Sequence, residues 1–108
     1  MIASDEQLID FKNIEGPVYT GRDRGQRLRT QLNLDNFDNS EIVVKVVIPK
    51  ETYSISSSFF LGLFGPSIVK LNSRELFLKK YKFETSDFLM GVINTHISRA
   101  LQERNLFS

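Results

Sequence analysis

The strongest feature of the hydrophobic pattern is the run Ile42, Val43, Val44, Val46, Val47 and Ile48, broken only by Lys45. β-Branched side chains fit a pleated surface, so Glu41 to Ile48 is expected to form a strand. Successive strand residues point to opposite faces. Apolar residues at successive positions therefore call for cover on both sides, as in the central strand of an α/β sheet. Pro49 ends the strand, because it has no N–H to give to a ladder.

A second period follows the triplet Ser56, Ser57 and Ser58. Phe60, Leu63, Phe64, Ser67, Ile68 and Leu71 recur at helical spacing. A serine just before such a run is a favoured N-cap, since its oxygen accepts from a backbone N–H that the helix cannot satisfy. Pro66 falls inside the pattern and is expected to kink the helix or split it at Gly65-Pro66. Leu76 to Phe83 alternates imperfectly and reads as a strand. Thr85, Ser86 or Asp87 then caps a last helix whose buried stripe is Leu89, Ile93, Ile97, Ala100 and Leu101.

Upstream, Gln7 to Phe11 reads as a first strand. Asn13 to Gly25 is loop-like, with Gly16-Pro17, Gly21 and Gly25 as turn residues. Gly25 to Leu34 is helical, with Leu28 and Leu32 on one face and Arg24, Arg27 and Gln31 away from it. Asn33 to Ser40, rich in Asn and Asp, is expected to be a turn. Strands and helices therefore alternate. That order predicts an α/β fold with a mostly parallel or mixed sheet of about four strands and three helices.

Composition narrows the function more than the fold. The 108 residues fit one domain, and a domain of this size can bury roughly two thirds of its unfolded surface. A formal net charge of +1 gives no global field to recruit nucleic acid or an anionic membrane. With no cysteine, disulfides and cysteine-based zinc sites are excluded. The start, with Asp5, Glu6 and Asp10, lacks the basic and apolar stretches of a signal peptide. The run Phe59 to Phe64 is far too short to span a membrane. A cytoplasmic location is the resulting expectation.

Two stretches, Val44-Lys-Val-Val-Ile-Pro49 and Ile55-Ser-Ser-Ser-Phe-Phe-Leu-Gly-Leu-Phe-Gly65, resemble the STAS-like domain family. These bacterial and phage proteins are related to anti-sigma factor antagonists and to the cytoplasmic domains of sulphate transporters. The family pattern is a hydrophobic strand, a short loop, a Ser-Ser-Phe-Leu helix start and a Phe-Gly pair shortly after. Here it reads Ser57-Ser58-Phe59-Phe60 and Phe64-Gly65. Gly25-Gln26-Arg27-Leu28-Arg29 resembles the family's Gly-x-x-Phe-Arg element, with Leu28 for the aromatic. The likeness covers residues 18–101 of a single domain spanning 1–108. It implies a regulatory protein-binding module whose partner is a histidine-kinase-like ATPase of the anti-sigma type. By position, Ser57 matches the phosphorylatable serine of the antagonists. Their flanking Asp and Gly are replaced here by Ser56 and Phe59, so the likeness carries a partner-binding loop further than it carries phosphorylation.

Each candidate site has a plainer structural reading beside it. One serine of Ser56 to Ser58 caps a helix and the others satisfy the turn. Functionally, the same positions form an anion or partner site at the positive end of a helix dipole. Phe60 fits the core period, while Tyr53 and Phe59 fall outside it and are candidates for an exposed interface. Arg22, Arg24, Arg27 and Arg29 form a local basic cluster. They are either a solvated helix start or the contact surface of an anion- or nucleic-acid-binding accessory protein, which is the alternative function. No phosphate-binding loop or dinucleotide motif accompanies them. His96 has no second His or Cys for a transition-metal site, and no nucleophile elbow surrounds the serines. The sequence therefore points to no enzyme, no cofactor and no metal, and leaves the oligomeric state open.

Overall fold

The computed structural model describes residues 6–14 and 16–106. Strand β1 (Glu6–Asp10) leads through a 3-10 turn (Phe11–Asn13) to the short strand β2 (Val18–Tyr19). Helices α1 (Arg22–Leu32) and α2 (Leu34–Asp38) precede strand β3 (Val43–Val47). Strand β4 (Ser54–Ile55) then feeds helix α3 (Ser57–Leu71). Helix α4 (Arg74–Lys80), strand β5 (Tyr81–Glu84) and helix α5 (Asp87–Leu106) complete the order.

All strand pairings among the described residues are parallel. One three-stranded sheet has the order β1-β3-β5, and a two-stranded sheet pairs β2 with β4. The α/β class, the parallel pairing and the central place of the valine-rich strand follow the sequence expectation, but the described residues hold five strands in two sheets and five helices where about four strands and three helices were expected. Val44 and Val46 are fully buried, whereas Val43, Lys45 and Val47 on the opposite face are half-buried. The sheet is thus covered fully on one face and partly on the other, and Lys45 uses the partly open face to pair with Glu84 at 2.6 Å.

Four local expectations are corrected. The stretch 13–25, expected as loop, contains β2, and α1 begins at Arg22 and not at Gly25. Residues 76–83 are not one strand: α4 occupies most of them, and the strand is confined to Tyr81–Glu84. Ser73 caps α4 by accepting from Leu76 N, and only Phe77 of its first turns is fully buried, so the apparent alternation is a helix with one inward aromatic. The Asn-rich segment expected to be a turn contains α2, set off from α1 by Asn33 in the left-handed region at φ 58°. Finally, of the two outcomes expected at Gly65-Pro66 the split does not occur, because α3 continues through Pro66. Pro66 is exposed, while Phe64, Ser67 and Ile68 on either side of it are buried, so both halves present one inward face to the core.

α3 is the central element. Phe59, Phe60, Leu61, Gly62, Leu63 and Phe64 are all buried, so beyond its two leading serines the helix is enclosed all round as far as Phe64. Its C-terminal half packs an aromatic cluster, with Phe64 lying 5.7 Å from Phe77, 5.3 Å from Tyr81 and 5.5 Å from Phe83 between ring centres. Against α1 the approach is closer than side chains allow. A Cβ built on Gly25 would lie 2.3 Å from the Phe59 carbonyl oxygen, and one on Gly62 would lie 2.4 Å from that of Arg22. Both glycines are therefore required for the two helix backbones to touch. At the far end, Ser86 caps α5 through Leu89 N; of the stripe read from the sequence, Leu89, Ile93, Ile97 and Ala100 are buried and Leu101 is half-buried.

Candidate functional site

β2 and β4 lie side by side and run in the same direction, so the helices that follow them, α1 and α3, begin as neighbours. This brings the arginine-rich start of α1 beside the serine triplet. Ser56 is the N-cap: its Oγ accepts from Phe59 N at 3.1 Å, and its carbonyl accepts from Phe60 N. Ser57 and Ser58 then form the first turn, Ser57 half-buried and Ser58 exposed. Their N–H groups have no acceptor within the helix, as at any helix start.

The two aromatic candidates separate. Tyr53 is 77% exposed, held by its backbone N–H on the Pro17 carbonyl while the ring stays outside. Phe59 is fully buried, which corrects its expected exposure. It packs on Tyr19, with ring centres 5.5 Å apart, and the Arg24 guanidinium covers both rings at 5.3 Å and 5.6 Å. Cation–π stacking of this kind is favourable where water is excluded from the ring faces. Arg24 also donates to the Val18 carbonyl at 3.1 Å, so it acts as a lid over the aromatic pair. Burial pushes the Tyr19 hydroxyl up from its ordinary value, against the opposing pull of Arg24.

The arginine cluster is not one patch. Arg22 and Arg27 are exposed, Arg24 is half-buried over the rings, and Arg29 is buried on the inner face of α1. His96 is no base for the serines. Its Nε2 donates to the Ile55 carbonyl at 2.8 Å, and its ring lies 5.4 Å from Phe60, so it ties α5 to the end of β4.

Arg29 belongs to a polar network that the sequence reading missed. Its guanidinium donates to Asp38 at 2.6 Å, to Asp35 at 2.7 Å, to the Leu63 carbonyl at 2.8 Å and to Ser67 Oγ at 2.9 Å. Asp38 also accepts from Tyr81 Oη at 2.5 Å and from Ser67 Oγ at 2.7 Å. Burial, followed by the bond to Asp38, pushes the Tyr81 hydroxyl far above its ordinary range. The network ties α1, α2, α3 and β5 together. Ser67 is fully buried, so no substrate reaches it. One signal was available: Ser67 sits in the apolar period of α3, and a polar group at a buried helix position calls for partners.

Among the described residues no three His, Asp or Glu side chains gather as a metal site requires, and no helix is long and apolar enough to cross a membrane. Comparison with protein-family models, with curated proteins and with solved structures gives no match to this chain.

Proposed function

We propose that the chain is a non-enzymatic regulatory module that binds a protein partner through the turn carrying Tyr53, Ser57 and Ser58. The observation that carries the reading is the division of labour in the serine triplet. Ser56 alone makes the cap, so Ser57 and Ser58 are not required by it. They stand at the positive end of α3, a few residues from an aromatic ring that is 77% exposed. An exposed aromatic beside small hydroxyl side chains suits an interface better than a fold, because the ring contributes nothing to the core. Phe59 supports this surface from beneath and does not touch the partner.

The resemblance of Ser57-Ser58-Phe59-Phe60 and Phe64-Gly65 to the STAS-like family supplies the partner class, a histidine-kinase-like ATPase of the anti-sigma type. A phosphate on Ser57 would bring about −1.5 to −2 charges to a helix start that tolerates them. Charge at Ser57 therefore alters binding more than stability. The nucleic-acid alternative is less well supported, since Arg29 is buried in an ion pair and Arg24 is laid over two rings.

The test is binding of the wild type, Ser57→Ala and Ser57→Asp to a purified ATPase of that class. The alanine variant should bind like wild type and the aspartate variant more weakly, by about tenfold or more. Equal binding by the folded aspartate variant would leave the serine turn as part of a helix start and nothing more.

A further inference from the structure

β5 has β3 as its strand neighbour on one side and no strand on the other among the described residues. Its polarity can be read residue by residue. The Glu84 carbonyl accepts from Ile48 N at 3.0 Å, so the backbone groups of Glu84 face β3. In a strand the next residue faces the other way. Phe83 therefore directs its N–H and C=O to the outer edge. Tyr81 agrees with this alternation, because its N–H turns outward to the Phe77 carbonyl of α4.

A cavity of about 510 Å³ lies along that edge, between α4 and the start of α5. It is lined by both Lys82 and Phe83. Adjacent strand residues point to opposite faces, so a space touching both runs beside the strand and not over one face. Leu78, Phe83 and Met90 supply an apolar floor, each half-buried. Lys79 and Lys82 are exposed at the rim and make no ion pair among the described residues. Arg74 adds a fixed charge, since its guanidinium donates to the Asn94 carbonyl at 3.0 Å, to Asn94 Oδ1 at 2.8 Å and to Ser98. Glu75 is the acidic residue of the lining.

We propose that this channel binds an acidic, extended segment of a partner protein, which adds as a strand beside β5. The outward backbone groups of Phe83 supply the pairing, the apolar floor accepts alternate side chains, and the three cations select acidic residues between them. Strand addition of this kind takes its affinity from main-chain bonds and its specificity from such alternate contacts. Lysines on an exposed edge also repel a second copy of the same edge. An acidic segment turns the same charges into attraction, so the rim discriminates between partners. Nucleic acid fits less well, because the floor is apolar and Glu75 repels phosphate. This surface is separate from the serine turn, and the proposal stands or falls independently of it.

The test uses the intact chain and a short labelled peptide alternating glutamate with valine. Two controls are the peptide with lysine for glutamate and a single-stranded oligonucleotide. Anisotropy measures binding and amide chemical shifts locate it. The acidic peptide should bind saturably, weaken with salt, and shift the amides of Phe83 and its strand neighbours most. Lys79→Glu with Lys82→Glu should reduce its affinity by about tenfold or more while leaving the melting temperature unchanged. If that variant is poorly folded, Lys82→Gln and the wild-type shift map decide. The proposal is overturned if the acidic peptide does not bind or leaves the β5 amides unmoved. Equal binding of the lysine peptide also overturns it. So does tighter binding of the oligonucleotide that is lost on the same charge reversal.

Discussion

Replacing Asp38 by alanine removes the acceptor on which the buried polar network converges. The side chain of Asp38 is 5% exposed and that of Arg29 is 9% exposed, so water cannot replace what is lost. Three donors lose their partner together: the Arg29 guanidinium at 2.6 Å, the Tyr81 hydroxyl at 2.5 Å and the Ser67 hydroxyl at 2.7 Å. Breaking a buried ion pair by deleting one member destabilises by about 3–5 kcal/mol, because a charge stays buried without compensation. Arg29 keeps Asp35, whose side chain is 83% exposed, and it keeps the Leu63 carbonyl. The remaining partners place the expected loss near the lower limit, about 3 kcal/mol. For a domain of this size that lowers the melting temperature by roughly 12–18 °C. Urea unfolding followed by circular dichroism gives the free energy directly, and m should be unchanged. The double variant Arg29→Met with Asp38→Ala removes both charges. Its loss should be smaller than the sum of the single losses by about 1–3 kcal/mol. A loss below about 1 kcal/mol for Asp38→Ala, or strict additivity in the cycle, would mean that Asp38 does not hold the network together.

Two glycines test the helix packing with opposite signs. Gly25→Ala places a methyl 2.3 Å from the Phe59 carbonyl oxygen, a backbone atom that cannot rotate away. It should destabilise by about 1–3 kcal/mol despite alanine's better helix propensity, as read by chemical unfolding. Gly91→Ala meets nothing within 4 Å on an exposed part of α5 and should stabilise by about 0.5–1 kcal/mol in the same assay. Alkaline stability follows from the buried tyrosines. Above the ordinary tyrosine value of 10.0 the unfolded chain releases protons that native Tyr81 and Tyr19 retain, so stability falls as pH rises. Lys80 opposes this below 10.5, because burial lowers its value and the native state releases its proton first. Tyr81→Phe should flatten the decline in unfolding free energy measured across this range; an unchanged slope would place its origin elsewhere. At the serine turn, thermal melts of Ser57→Asp should match wild type, since Ser56 and not Ser57 makes the cap. A fall of several degrees would show that Ser57 carries structural weight of its own.

Patterns confined to a single element were legible in the sequence. The valine run fixed a central strand, the serine before an apolar period fixed the start of α3, and the stripe from Leu89 to Ala100 fixed the inward face of α5. Each depends on a period along one strand or helix, or on a cap beside it, and such signals are present in the order of residues. α4 escaped because its short length leaves a single fully buried position, Phe77, which defines no period. The lid of Arg24 over Tyr19 and Phe59, the inward turn of Arg29, and the meeting of Arg29, Asp38, Ser67 and Tyr81 were decided only by the tertiary structure. Arg29 reads as one more solvated cation until α1 is laid against α3. That approach is set by Gly25 and Gly62, where backbone meets backbone and no side-chain period records it. The direction a charged side chain takes depends on which distant elements supply its partners, and the fold alone determines those neighbours.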